Sequence, residues 1–261
     1  MIYKTDYHIH SSFSDGKSAP GEYIAAALEA GFNEIGFSDH FNLLRQEHEP
    51  TMGQLEAIKY LDHINKLKSS VGDINVRTGI EVDYFPGKED ELRTILSEID
   101  VDYVIGSVHY LDGGGVDESP DYYRGRERDR LFKAYFDVIA SAASSGLFDF
   151  IAHLDLIRIY GCLATDDEEP LYRNLAKILK ENDVAFEVNT NGRNKPLGDF
   201  YPDRRFLHIF REENVPVCVN SDAHMPSRVG QYFEEAYHLV KLAGYNEMAV
   251  FEKRKRRLVP F

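Results

Sequence analysis

The amino-acid sequence predicts an α/β fold: a (β/α)7 barrel, seven parallel strands closed on themselves and covered by helices. Two observations predict it. Seven short β-rich runs alternate strictly with helical patterns along the 261 residues, with no linker, internal repeat or low-complexity tract between them. The strand runs are small and apolar, which favours a closed barrel over an open sheet. One barrel of this kind occupies residues 1–261 as a single domain, since such folds routinely reach about 250 residues without splitting.

Residues 3–9 form the first strand and run into His8-Ile9-His10, with Asp15 following. Residues 20–30 are rich in alanine, with Pro20 suited to a first helical turn and Gly31 to a C-cap. The strand at 34–38 leads into Ser38-Asp39-His40, and a helix at 53–69 precedes the strand at 75–82 that carries Gly79-Ile80-Glu81. A helix at 89–98 is followed by a strand at 103–108 that ends on Gly106-Ser107-Val108-His109. Residues 121–144 read as one long helix, with Leu131, Tyr135, Val138 and Ile139 at three- and four-residue spacing. Strands at 148–152, 185–189 and 216–220 alternate with helices at 166–182, 202–213 and 228–243. The fifth strand ends in Ile151-Ala152-His153 and the seventh in Ser221-Asp222-Ala223-His224. The glycine-rich stretch 111–118 reads as a mobile loop at the mouth of the barrel.

Six of the ten histidines, with Asp15, Glu81 and Asp222, thus fall where a strand gives way to a loop. That end of a barrel is where active sites are built, and a structural histidine has no reason to prefer it repeatedly. Imidazole and carboxylate suit zinc, iron and manganese, and nine such groups exceed what one ion can use, so two or three ions are implied. His8 and His10 alternate on a strand and so share a face. His48, His63, His208 and His238 sit inside helical patterns and read as ordinary surface or core histidines.

The formal net charge of −14 argues against a general nucleic-acid binder. A small anionic substrate remains compatible, because divalent ions would outweigh Asp15, Glu81 and Asp222 locally. The basic run at 253–257 reads as a solvated face or terminal strand edge. Cys162 and Cys218 do not imply a disulfide framework. The first strand begins too early for a leader peptide, and no apolar run approaches the roughly 18 residues of a membrane span. A soluble, cytoplasmic protein is expected.

These segments resemble the polymerase and histidinol phosphatase (PHP) family, and within it the histidinol-phosphatase branch. The general family elements are residues 8–11 with Ser14-Asp15-Gly16, residues 37–40 and residues 220–224. The stretches 79–87, 106–113, 152–158 and 187–192, followed by Lys195-Pro196, are similar to the phosphatase branch. The resemblance covers nearly the whole chain and implies a distorted seven-stranded barrel with up to three metal ions. It implies one ion on His8, His10, Glu81 and Asp222, a second on Glu81, His109 and His153, and a third on Asp15, His40 and His224. Glu81 would bridge the first two. Asp15 stands where some members have histidine, which implies a weaker or reordered third site.

The expected reaction is hydrolysis of a phosphomonoester, L-histidinol phosphate above others, by a hydroxide held between the two ions that share Glu81. Arg158 and Arg193 are candidates to grip the phosphate oxygens, and Asp222 or His224 to serve the leaving alkoxide. Asp112, Asp117 and Glu118 are available at the mouth for a substrate bearing an imidazole and an amine. The rivals are an amidohydrolase-type enzyme, which would show an eighth strand and often a bridging lysine; a PHP phosphoesterase acting on another phosphomonoester or a nucleotide phosphodiester; and a non-catalytic metal-binding protein. The size of an oligomer is not legible.

Overall fold

A computed structural model describes residues 2–45 and 49–261; His48 lies outside them. In chain order the elements are β1 (Thr5–Asp6), α1 (Pro20–Glu29), β2 (Glu34–Phe37), β3 (His40–Phe41), α2 (Gln54–Ser70), β4 (Asn75–Asp83), α3 (Glu89–Ser97) and β5 (Tyr103–Ser107). They continue with β6 (Tyr110–Leu111), β7 (Gly114–Gly115), α4 (Arg128–Ser144), β8 (Phe150–Ile151), α5 (Glu169–Glu181) and β9 (Ala185–Asn189). The last are α6 (Leu207–Glu212), β10 (Val217–Asn220), α7 (Phe233–Leu242), β11 (Glu247–Glu252) and β12 (Lys255–Pro260).

Seven strands follow one another around a parallel sheet in the order β1-β2-β4-β5-β8-β9-β10. The sheet curls until its ends meet. Ile9 bridges Ala223 in parallel, His10 N donates to Ala223 O at 3.0 Å, and Ala223 N donates to His8 O at 3.1 Å. The chain breaks after β2 at Ser38-Asp39, and β3 resumes the pairing against β4 with His40 in register with Glu81. That break is the distortion which brings a histidine level with the central carboxylate.

Hydrophobic burial divides between two layers. Most of the core lies between the sheet and its helices, as with Tyr60, Phe132, Ile139, Tyr172 and Phe210. A smaller cluster fills the barrel interior: Tyr7, Tyr103, Ile105, Phe150, Ala152, Ala185 and Cys218, with Ala249, Val250, Phe251 and Val259 from the β11–β12 hairpin. The hairpin closes the end opposite the strand C-termini. Lys253 N and Arg254 N bond Asp102, and Arg254 Nε bonds Asp149 Oδ2 at 2.5 Å, both acids standing just before their strands. Phe251 stacks on Phe150 at 5.2 Å.

The basic run at 253–257 lies on the exposed edge of the last strand, as expected: it forms the hairpin turn and the start of β12, where Arg254 pairs with Asp149 and Arg256 with Asp183. Other expectations are corrected here. Residues 121–144 are not one helix: a short 3-10 turn at Pro120–Tyr123 ends before Gly125, whose φ of +74° breaks the helical path, and the Glu127 side chain caps α4. The stretch 111–118 contains the β6–β7 hairpin, with Asp112 and Gly113 at positive φ in its turn. The pairing of β1 covers only Thr5–Asp6, shorter than residues 3–9. No described helix is long and apolar enough to cross a membrane.

Phe251→Ala should cost about 3–5 kcal/mol, the usual range for emptying a buried phenyl site. Urea denaturation checks it. A loss below about 1 kcal/mol would mean that the hairpin is not a structural plug.

Candidate metal centre

β4 carries the site's centre. Glu81 is 1 % exposed, and five histidines from four segments converge on it. Its two oxygens face different sets. Oε2 lies 2.8 Å from His40 Nδ1, 3.3 Å from His8 Nε2 and 3.6 Å from His10 Nε2. Oε1 lies 3.2 Å from His153 Nε2 and 3.8 Å from His109 Nε2. A carboxylate so placed offers one oxygen to each of two ions.

The other carboxylates complete the cluster. Asp222 Oδ1 is 3.2 Å from His10 Nε2 and 3.8 Å from His8 Nε2, and Asp15 Oδ2 is 3.0 Å from His224 Nε2. The His10 ring stacks on His40, at 4.2 Å, and on His224, at 4.3 Å. All nine residues expected from the sequence therefore meet. Four of their subsets place ligand atoms within 4.8 Å of one another: His8, Glu81 and His153; His8, His10 and Asp222; His40, Glu81 and His109; and His10, Asp15, His40 and His224. His10 thus joins the group that the resemblance limits to Asp15, His40 and His224.

The site fits metal ions. His8 Nε2, both ring nitrogens of His10, Asp15 Oδ1 and Glu81 Oε2 are buried without a hydrogen-bond partner. Groups left so in a protein interior cost free energy unless a ligand satisfies them. The donors are nitrogen and oxygen with no thiolate, which suits zinc, manganese or iron. Asp222, at φ +50°, and His153, at φ +22°, both hold left-handed backbone at the site.

Charge is balanced by neighbours. Burial works against ionised Glu81, yet His40 and His8 hold it well below the usual carboxylate range. Burial likewise opposes a charged His40 and His109, but Glu81 and Asp15 lift His40 to about 9, and Asp83 and Glu81 lift His109 to about 10. His10 goes the other way, pushed down to about 3 by burial and by His40 and His224.

Three carboxylates that sequence reasoning left without a role contact these ligands or the turn that bears one. Asp83 Oδ1 is 2.6 Å from His109 Nδ1, and Glu187 is 3.0 Å from His8 Nδ1. Asp39 accepts Ser11 N, Ser11 Oγ and Ser14 Oγ, each at 2.8 Å, and so shapes the turn bearing Asp15. The available signal was an acid inside or beside an apolar strand run, two residues from a ligand for Asp83 and flanked by Phe186 and Val188 for Glu187.

Above the cluster is a cavity of about 280 Å³. Thr51, Tyr110, Asp117, Glu118, Lys195 and Tyr201 are among the residues that line it. The arginines expected at the phosphate are placed elsewhere. Arg158 is 4 % exposed and paired with Asp155 at 2.9 Å and Asp203 at 3.1 Å. Arg193 pairs with Glu235 and lies over the Phe200 ring. Neither lines the cavity, because each guanidinium is drawn to carboxylates outside it. Asp112 also stands apart, 3.5 Å from Arg126. His63, His208 and His238 are exposed on helices, away from the cluster.

A family model for the PHP domain matches residues 6–191. The chain belongs to the PHP domain family. It is 34 % identical over 257 residues to a Deinococcus radiodurans protein named "probable histidinol-phosphatase", covering 96 % of this chain and 97 % of that one. A histidinol-phosphatase of Lactococcus lactis is 25 % identical over 265 residues, covering 97 % and 96 %. The structure of histidinol phosphate phosphatase from Lactococcus lactis, complexed with zinc, L-histidinol and phosphate, superposes with a TM-score of 0.85 at 22 % identity, covering 98 % of this chain and all of that one. This PHP fold is the seven-stranded barrel derived above.

A histidine must lose its proton to ligate a metal. Because His40 and His109 have raised pKa values, Mn2+ affinity of metal-free protein should climb as pH rises from about 6 to about 9, with protons released on binding. Calorimetry in buffers of different ionisation enthalpy reads both. Affinity independent of pH would contradict the arrangement.

Proposed function

We propose that this protein is a metal-dependent phosphomonoesterase that converts L-histidinol phosphate and water to L-histidinol and phosphate. The observation that carries the reading is Glu81, whose two oxygens face separate histidine sets in a buried cluster below an open cavity. The relatives named for this activity support the substrate, since the chain matches them over nearly their full length.

His8, His10, Glu81 and Asp222 would hold one ion, Glu81, His109 and His153 a second, and Asp15, His40 and His224, joined by His10, a third. When bound, such ions acidify water and neutralise phosphate charge. Glu81 stays ionised beneath them. Lys195 is the one ammonium or guanidinium group lining the cavity among the described residues, and we assign it to the phosphate oxygens in place of Arg158 and Arg193. Asp117 and Glu118 supply the negative charge that an imidazole and an amine would seek. In the reaction water's oxygen bonds to phosphorus, the bond from phosphorus to the alkoxide oxygen breaks, and that oxygen takes a proton. The attacking water gives up one proton as the alkoxide gains one; His224 at the cavity is placed to deliver that proton, and ionised Asp222, 3.5 Å from it, to hold the charge of its ring.

The acidic chain supports a small substrate rather than a nucleic acid. Two free cysteines, Cys162 and Cys218, support a reducing cytoplasmic setting.

Phosphate release from L-histidinol phosphate, p-nitrophenyl phosphate, a nucleotide monophosphate and a phosphodiester, measured side by side, tests the reading. A kcat/KM that favours histidinol phosphate is the expected result; preference for the diester would discard the substrate. Glu81→Ala should abolish turnover, and wild-type rates in that variant would overturn the site. Lys195→Ala should raise KM about 10- to 100-fold, the equivalent of one hydrogen bond to a charged group. An unchanged KM would remove Lys195 from the phosphate.

A further inference from the structure

Glu187 lies in the middle of β9, 0 % exposed, and lines no part of the cavity. A carboxylate is costly there and is retained only if its neighbours compensate it. Four groups do so. Its oxygens lie 3.0 and 3.1 Å from His8 Nδ1, and they accept His153 N at 2.9 Å, Asn189 Nδ2 at 2.8 Å and Asn220 Nδ2 at 2.8 Å. Asn189 Nδ2 also reaches Asp222 Oδ2 at 3.2 Å. One acid therefore touches, directly or through one amide, ligands delivered by the ends of β1, β8 and β10.

The contact with His8 decides a tautomer. An ionised carboxylate only accepts, so Nδ1 carries the hydrogen and Nε2 is the nitrogen left to offer a lone pair to an ion. That Nε2 has no hydrogen-bond partner and faces Glu81 Oε2 at 3.3 Å. The contact with His153 N works differently: it holds the backbone at the residue whose φ is +22°. The Asp15 side of the cluster has its own support in Asp39, through Ser11 and Ser14.

We propose that Glu187 is a positioning residue that sets the Nε2 ligand form of His8 and the placement of His153, and so governs the two ions sharing Glu81 but not the ion on Asp15, His40 and His224. The inference rests on the reading that ions occupy this cluster. Glu187→Gln keeps the shape but can turn an amide N–H toward His8 Nδ1, which would put the hydrogen on Nε2 and block it.

The test is competition of Zn2+ between a chromophoric chelator and metal-free wild type, Glu187→Gln and Asp39→Asn, with metal content after dialysis and circular dichroism as a check of fold. Glu187→Gln should lose about 10- to 100-fold in affinity at two ions, the usual effect of removing a partner that orients a ligand. Asp39→Asn should lose only one ion. Equal affinity in wild type and Glu187→Gln, or an equal loss at all three ions, would overturn the role of Glu187. Failure of wild type to bind Zn2+ would instead overturn the functional reading. Should the variant not fold, histidine 15N spectra of zinc-loaded wild type still decide: His8 with a protonated Nδ1 and a metal-shifted Nε2 supports the proposal, and the reverse overturns it.

Discussion

A carboxylate buried in the middle of a parallel sheet, as Glu81 is, would cost several kcal/mol if left unpaired. Compensating it requires partners from many directions at one height, which a barrel provides because every strand ends near the same ring. His8 and His10 arrive from beyond β1, His40 from β3, His109 from beyond β5 and His153 from beyond β8. The need also reaches downward. Gly79, two residues before Glu81, has no side chain because the Tyr103 ring occupies the space; a Cβ there would stand 2.2 Å from it. The Tyr103 hydroxyl in turn donates to Tyr7 O at 2.6 Å and Phe37 O at 3.1 Å, just before two of the ligand-bearing turns.

Around this centre acids support bases, and other acids support turns. Asp83 and Glu187 orient histidines, Asp39 shapes the Asp15 turn, and Asp6 accepts Ser221 N at 3.0 Å and Gly230 N at 3.1 Å beside the Asp222 turn. Each is buried, and each is satisfied by donors in place. The cluster thereby concentrates negative charge where cations are wanted, at the strand ends below an open cavity, while the arginines of the surrounding loops are held by acids outside that cavity.

The ligands were legible because strand ends are legible. A histidine that follows an apolar run and precedes a turn is visible in one dimension, and all nine expected groups converge. Their supports were less visible: Glu187 is recognisable as a partner only when β1 and β9 are seen across the barrel, 179 residues apart in sequence. The β11–β12 hairpin was missed because its apolar run, Met248 to Phe251, sits beside five basic residues that read as surface. Folded, those bases lie at the rim and reach the acids that precede β5, β8 and β9. Arg158 and Arg193 show the opposite failure, since an arginine near a strand end does not reveal which way its guanidinium is drawn.

The seam of the barrel runs between Ile9 and Ala223, and metal-type ligands flank it on both sides: His8 and His10 on one lip, Asp222 and His224 on the other. Backbone bonds from His10 N to Ala223 O and from Ala223 N to His8 O join the two lips. Ions bound across the seam would act as a clasp. Occupancy of the site would then favour closure of the sheet, with bound ions fastening the first strand to the last.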